Sequence, residues 1–227
     1  MTPSFSTMTD HPGAVVFDFD DTLLIGESTG QWLRWALGRA RWNKAMVLGL
    51  AILWWPLLRL GERNYRRGVS LLLWAATWRW PQGRLSASFQ NFTREFQRGA
   101  TRLRWNEAVC AELDAAVRRG QRVVVVTAAP KELAQAMLRS RWPRLAVVGT
   151  QLRLLRGGWV AIELCRGLAK LEALARKGVA PPFSAVYTDS AVDLPLLAEA
   201  RTRVFVGQDV WSLRELDRLG LVPDRRL

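Results

Sequence analysis

The sequence predicts an α/β fold, a three-layer core of parallel strands between helices, interrupted early by a long helical insert. Three observations predict it. Ala14-Val15-Val16-Phe17, Arg122-Val123-Val124-Val125-Val126 and Ala185-Val186-Tyr187 are short apolar runs rich in β-branched residues, the pattern of strands buried on both faces. Each run ends in a polar group: Asp18 and Asp20, Thr127, and Asp189. Open α/β sheets place their ligands at the carboxyl ends of strands. Between and after these runs, strand and helix patterns alternate.

The first strand carries the most chemistry. Asp18 and Asp20 stand at i and i+2, so an extended backbone turns both carboxylates to one face. One can then attack a phosphorus while the other moves a proton. Thr22 follows in the turn. Read alone, this DxDxT pattern also fits a plain strand end with aspartates in the turn.

About a hundred residues separate Thr22 from Arg122, far more than a βα connection needs. Beyond Arg122 the alternation resumes. The periodicity predicts a helix over Lys131 to Arg139, a strand over Leu145 to Gly149, and a β-hairpin between Gln151 and Ile162 turned at Gly157-Gly158. Lys170 opens an amphipathic helix, and a DxxxD loop, Asp189 to Asp193, follows the third strand. A strand at Arg203 to Val206 and a helix at Val210 to Leu219 close the chain.

The insert is basic and apolar at once. From Thr22 to Arg104, thirteen arginines and Lys44 face only Glu27, Glu62 and Glu95, so eleven of the chain's thirteen net positive charges fall there. Eight of the twelve tryptophans (Trp32, Trp35, Trp42, Trp54, Trp55, Trp74, Trp78 and Trp80) lie there too. Ala45 to Leu58 holds no charged residue, yet as a helix it reaches only roughly 21 Å, short of the roughly 30 Å hydrocarbon core of a bilayer. A polar, basic turn is expected over Gly61 to Gly68, and a second apolar segment runs from Val69 to Trp78. Pro56 is expected to kink or end the first helix. Two short apolar helices joined this way fit a half-inserted, monotopic hairpin. Tryptophan favours the bilayer interface, and arginine is drawn to anionic headgroups by about 1 kcal/mol each. A self-contained helical insert with solvated arginines is the plainer reading. No nucleic-acid-binding module is recognisable, so nucleic acid is not an expected partner.

Met1 to Pro12 lacks a basic stretch followed by an apolar one and is expected to be a loose tail, with the single histidine, His11, inert. Cys110 and Cys165 are isolated, which suggests neither a disulfide framework nor a zinc site.

Taken in order, Asp18-Phe19-Asp20-Asp21-Thr22, Thr127-Ala128-Ala129, Lys170 and Asp189 to Asp193 resemble the haloacid dehalogenase superfamily of phosphotransferases, from about Val15 to Val206. The resemblance implies a Rossmann-like three-layer core with a helical cap between the first and second motifs. It divides the chain into a tail (1–12), a catalytic core (13–24 and 105–227) and a basic, membrane-associating cap (25–104). It further implies an aspartyl-phosphate mechanism with Mg²⁺ as cofactor. Asp18 is then nucleophile and metal ligand, and Asp20 the general acid and base, its carbonyl also facing the metal. Asp189 is the second carboxylate ligand, and Asp193 supports the metal site or holds Lys170. Lys170 and Thr127 neutralise and hydrogen-bond the phosphoryl group.

Within that superfamily, Val69-Ser70-Leu71-Leu72-Leu73-Trp74, Gly157-Gly158-Trp159-Val160 and Thr188-Asp189-Ser190 with Asp193-Leu194-Pro195-Leu196-Leu197 resemble the phosphatidylglycerophosphatase C family of Gram-negative bacteria. That likeness implies hydrolysis of phosphatidylglycerophosphate to phosphatidylglycerol at the cytoplasmic face of a bacterial inner membrane, with an anionic phospholipid membrane as partner. Asp21 stands where many relatives have glycine. Two alternatives stay open: a phosphatase of a soluble metabolite, resembling phosphoserine phosphatase, and a non-catalytic protein that binds membrane or nucleic acid.

Overall fold

The structure, a computed structural model, describes residues 13–54 and 62–227. In chain order, β1 (Val15–Phe17) leads through a tight turn to β2 (Leu24–Ile25). Among the described residues four helices make the insert: α1 (Ser28–Leu37), α2 (Arg41–Trp54), α3 (Glu62–Ala76) and α4 (Gln82–Gln97). The chain returns through β3 (Arg104–Trp105), α5 (Glu107–Arg118), β4 (Val123–Pro130) and α6 (Lys131–Leu138). It continues through β5 (Ala146–Leu155), β6 (Gly158–Glu163), α7 (Leu168–Ala175) and β7 (Phe183–Thr188). It closes with α8 (Leu194–Ala198), β8 (Ala200–Phe205), α9 (Val210–Arg218) and β9 (Arg225–Arg226).

Seven strands form one sheet in the order β6-β5-β4-β1-β7-β8-β9. All pairs are parallel except β5 with β6. This is the α/β core with its parallel-dominated sheet. β1 sits in the middle, Val15 to Phe17 pairing with Val123 to Val125 on one side and Ala185 to Tyr187 on the other. Its side chains alternate between the faces, as a strand requires. Val15 and Phe17 join Leu113, Leu133 and Met137 on one face, while Val16 joins Leu174, Leu196 and Leu216 on the other. Phe17 is fully buried and stacks on Tyr187 with ring centroids 4.2 Å apart. These apolar layers set the register of β1 against β7, and therefore the relative positions of the aspartates that follow each.

The insert leaves and rejoins the core through an antiparallel neck, Leu24 opposite Trp105 and Ile25 opposite Arg104. Trp32, fully buried, donates its indole N–H to Ser88 Oγ (2.9 Å) and packs on Phe89, and Trp35 meets Phe92 edge-on. Among the described residues, tryptophan in the insert is therefore used largely inward. Trp32 and Trp80 are buried, Trp35, Trp74 and Trp78 are half-buried, and Trp42 is 86% exposed.

The expected turn over Gly61 to Gly68 is corrected: from Glu62 onward this stretch is the start of α3. Charge is not a turn signal, and glutamate and arginine are good helix formers. Among the described residues no helix is long and apolar enough to cross a membrane. The tail, His11, Trp55 and the kink expected at Pro56 lie outside the described residues.

The strand expected to stop at Gly149 runs on to Leu155 as one element, because no turn residues interrupt it. The hairpin then turns on Arg156 and Gly157, both at positive φ (47° and 84°), the two-residue geometry that matches strand twist. This hairpin is built onto α3. Trp74 donates its indole N–H to Leu155 O (3.1 Å), and Trp159 donates its own to Trp80 O (2.9 Å). The Trp159 N–H meets Thr77 Oγ1 (2.9 Å), and the Arg79 N–H meets Gly157 O (2.6 Å). A Cβ on Gly158 would lie 2.6 Å from both Trp74 O and Trp74 Cδ1, so only glycine lets the strands approach the helix this closely. Gly158→Ala is expected to destabilise the protein by about 1–3 kcal/mol through overpacking. Gly83→Ala, in a helix where the new methyl meets nothing within 4 Å, is expected to stabilise by about 0.5–1 kcal/mol. Thermal unfolding of the two variants should therefore move in opposite directions.

Candidate active site

The carboxyl ends of β1, β4 and β7 open on one cleft of about 430 Å³, whose lining includes Asp18, Asp20, Thr127, Lys170, Asp189 and Asp193. All of the predicted site residues meet there. Asp18 is the first residue past β1 and its N–H donates to Tyr187 O (2.9 Å), which ties the end of one strand to its neighbour. Asp18 Oδ1 accepts the Phe19 N–H (2.7 Å), and Oδ2 lies 2.9 Å from Lys170 Nζ.

Lys170 enters from the first turn of α7, behind Gly167, and is 3% exposed. Its ammonium reaches Asp193 Oδ2 at 2.7 Å as well. Burial works against its charge, but the Asp18 and Asp193 carboxylates outweigh burial and hold it protonated above the ordinary lysine value. Asp193 Oδ2 also accepts the Thr188 hydroxyl (2.9 Å), while its buried Oδ1 has no hydrogen-bond partner. Of the two roles that the sequence leaves open for Asp193, the geometry supplies the contact to Lys170.

Asp20 turns away from that pair. Its Oδ1 accepts the Ser28 N–H (2.8 Å) at the start of α1. Burial pushes its carboxyl up to about 7, partly offset by hydrogen bonding from Ser28. A group poised there can both give and take a proton near neutrality. Asp189 accepts the buried Thr22 hydroxyl at Oδ1 (3.0 Å), and burial lifts its carboxyl to about 6. Thr127 is fully buried, and its hydroxyl accepts the Ala129 N–H (3.0 Å), which shapes the loop after β4.

Sequence reasoning left several supports unassigned. Thr22 is the threonine of the first motif, and that position was the available signal. Thr188 adjoins the acidic motif at Asp189, a signal of the same kind, whereas the Ser28 amide carries no comparable mark in the sequence. Ser212 Oγ accepts the Ala191 N–H (3.0 Å) from a distant helix, a contact that exists only in three dimensions.

The donor set suits a hard cation. Asp18, Asp20, Asp21, Glu27, Asp189 and Asp193 line the cleft against Lys170 and Arg166, so negative charge is in excess. Histidine and cysteine are missing from the lining of the cleft. Among the described residues no three His, Cys, Asp or Glu side chains converge as a ready-made cage. Mg²⁺ typically takes one or two carboxylates and fills its octahedron with carbonyl and water oxygens. Asp18 and Asp189, with the Asp20 carbonyl, fit that habit.

The family described as haloacid dehalogenase-like hydrolase matches residues 15–198. This chain belongs to that family. The hydrolase is similar to a solved protein of unknown function from Bordetella pertussis Tohama I, at 19% identity over 93% of this chain and 97% of that one, with a TM-score of 0.70. A phosphoserine phosphatase caught as a phospho-aspartyl intermediate analogue is 16% identical over 95% of this chain and 93% of that one (TM-score 0.55). Cytosolic 5'-nucleotidase IIIB bound to cytidine is 13% identical over 93% and 77% (TM-score 0.60). At such identities these likenesses speak to the shared fold.

Asp21 lies at φ 54° and its Oδ1 accepts the Gly26 N–H (3.0 Å). That conformation suits glycine, and aspartate, tolerant of the left-handed region, can also adopt it. Asp21→Val is expected to cost about 1–2 kcal/mol, whereas Asp21→Gly should stay within about 1 kcal/mol of the parent, as denaturant titration would show. Cys110 and Cys165 are buried and free, and burial pushes both thiols up to about 12. At pH 8 roughly one thiol in ten thousand is ionised. Ellman's reagent should therefore find no fast-reacting thiol in the folded hydrolase and two after unfolding.

Proposed function

We propose that this hydrolase is a phosphatase that cleaves phosphate monoesters through an aspartyl-phosphate on Asp18, with Mg²⁺ as its metal. The observation that carries the reading is Lys170 held between Asp18 and Asp193 in a cleft whose lining also includes Asp20, Thr127 and Asp189. A carboxylate of Asp18 attacks the phosphorus, and the bond to the ester oxygen breaks. Asp20 gives its proton to the departing alkoxide, then takes one from the water that attacks the acyl phosphate. Inorganic phosphate leaves and Asp18 is restored. Burial pushes the Asp18 carboxyl well above its ordinary value and the Lys170 ammonium works against that shift; Lys170 also offsets charge on the transferring group, and Thr127 orients it. Asp18, Asp189 and the Asp20 carbonyl would hold Mg²⁺, which when bound supplies the further positive charge that a phosphate dianion needs beside these carboxylates.

For the substrate, the likeness to phosphoserine phosphatase and to a 5'-nucleotidase supports a small soluble monoester. A second reading is a lipid monoester, phosphatidylglycerophosphate, dephosphorylated at the cytoplasmic face of a bacterial inner membrane. It is favoured by the wall of the cleft that the insert provides, Leu33, Val69, Leu72 and Leu73, which offers an apolar surface to the part of the substrate beyond the phosphate. A protein that binds without turnover is disfavoured by the completeness of the carboxylate, hydroxyl and lysine set.

Phosphate release should require Mg²⁺, stop with EDTA and return when Mg²⁺ is restored. Asp18→Asn should lower turnover at least a thousandfold. Asp20→Asn should lose about 10²–10⁴-fold on alkyl phosphates and much less on p-nitrophenyl phosphate, whose leaving group needs no proton. Faster turnover of phosphoserine or a nucleoside monophosphate than of phosphatidylglycerophosphate in mixed micelles would support the soluble reading. The reverse order would support the lipid. Full activity of Asp18→Asn would end both.

A further inference from the structure

A second cavity lies on the opposite side of α3 from the catalytic cleft. Val69, Leu72 and Leu73 face the cleft, while Arg66, Arg67, Leu71 and Trp74 line an open groove of about 590 Å³ against the β5–β6 hairpin, where Leu155 and Arg156 complete it. The division follows helical spacing for 67, 70, 71 and 74 against 69, 72 and 73, while Arg66 falls at the border between the two faces. The volume is in the range of small-molecule sites, roughly 300–1,000 Å³.

The chemistry of the groove is narrow. Its polar groups are already used between its own walls: the Trp74 indole N–H donates to Leu155 O (3.1 Å), and the Ser70 hydroxyl donates to Ala161 O (3.2 Å). What remains for a visitor is an apolar floor and three cations. Arg66, Arg67 and Arg156 are exposed, and among the described residues the groove has no acidic lining. Leu155 is 44% exposed, and on the same hairpin Leu154 and Ile162 are 47% and 41% exposed. A soluble anion would engage the arginines alone, in a setting where solvent and salt screen the attraction. An uncharged chain would leave the cations without a role.

We infer that this groove binds an anionic phospholipid of a bilayer, its acyl chain along Leu71, Trp74 and Leu155 and its phosphate among Arg66, Arg67 and Arg156. The site is separate from the catalytic cleft and independent of which monoester is hydrolysed. It narrows the surface expected from the sequence, a half-inserted hairpin of the two apolar segments 45–58 and 69–78, to one concavity that the second segment shares with the β5–β6 hairpin and in which charge and apolar floor lie together.

The test is flotation of the full chain with phosphatidylcholine vesicles, with and without phosphatidylglycerol. The parent should bind only the anionic vesicles. Replacing all three arginines (Arg66→Gln, Arg67→Gln, Arg156→Gln) should weaken binding about a hundredfold, and Leu155→Asp at least tenfold. Trp42→Ser, on the exposed face of α2, should bind like the parent. Circular dichroism and thermal unfolding show that each variant is folded, and flotation needs no turnover, so failure here is distinct from failure of the catalytic reading. Parent-like binding by the arginine variant or by Leu155→Asp would overturn the inference. So would no binding by the parent, loss of binding in Trp42→Ser, or displacement from the vesicles by glycerol 3-phosphate as effective as by anionic vesicles, which would mark a site for headgroup charge alone.

Discussion

A buried ammonium between two buried carboxylates is the constraint on which the rest depends. Taking one such charge out of water costs several kcal/mol, and only close, well-directed partners offset it. Lys170 has both, at 2.9 Å to Asp18 and 2.7 Å to Asp193. The three groups come from β1, from α7 and from the loop after β7, so the pairing of β1 with β7 and the docking of α7 must all be in place before the triad exists. The apolar layers on both faces of the sheet provide that order. The triad in turn leaves the cleft with more carboxylate than cation. A cleft so short of positive charge suits the Mg²⁺ proposed for it, since a phosphate dianion would otherwise meet carboxylates offset only by Lys170 and Arg166.

The insert is governed by a different constraint, close approach. The neck between β2 and β3 fixes where it leaves the core, but the β5–β6 hairpin fixes where α3 lies. Tryptophan indoles donate across that contact in both directions, from α3 to the hairpin and from the hairpin to Trp80 in the loop between α3 and α4. Gly158 has no Cβ because Trp74 occupies its place. One helix is thereby held as a fixed wall, with the catalytic cleft on one side and a cationic, apolar groove on the other. The geometry of the active site thus depends on a hairpin that contributes no group to its chemistry.

Most of the core was legible because strands buried on both faces are uninterrupted apolar runs, and β1, β4 and β7 are such runs. The residues at their carboxyl ends were legible for the same reason: a polar group is conspicuous after four valines. What the sequence could not convey was direction. Glu62 to Arg67 reads as a polar turn, yet nothing in it breaks a helix, and it forms the first turns of α3. The tryptophans read as an interface belt, but Trp32 and Trp80 are buried and Trp35 packs on Phe92. Composition reports that a residue seeks an apolar surface; whether that surface is protein or lipid is decided by neighbours far away in the chain. Thr22 shows the same limit at the site. Its motif was visible, but its partner, Asp189, lies 167 residues on.

The charge distribution then takes on a more specific meaning than net charge allows. The insert holds nearly all of the chain's excess cations, and its arginines do not all sit in the same surroundings. They differ by position. Arg84 lies over the Trp80 ring and Arg39 over the Trp35 ring, where their guanidinium groups cover aromatic surface within the protein. Arg66 and Arg67 instead border an open concavity whose apolar floor is uncovered. The same residue type therefore seals the insert in one place and leaves it open in another. The difference lies in whether an aromatic ring of the insert itself is beneath the cation, and only the second arrangement leaves room for an amphiphile.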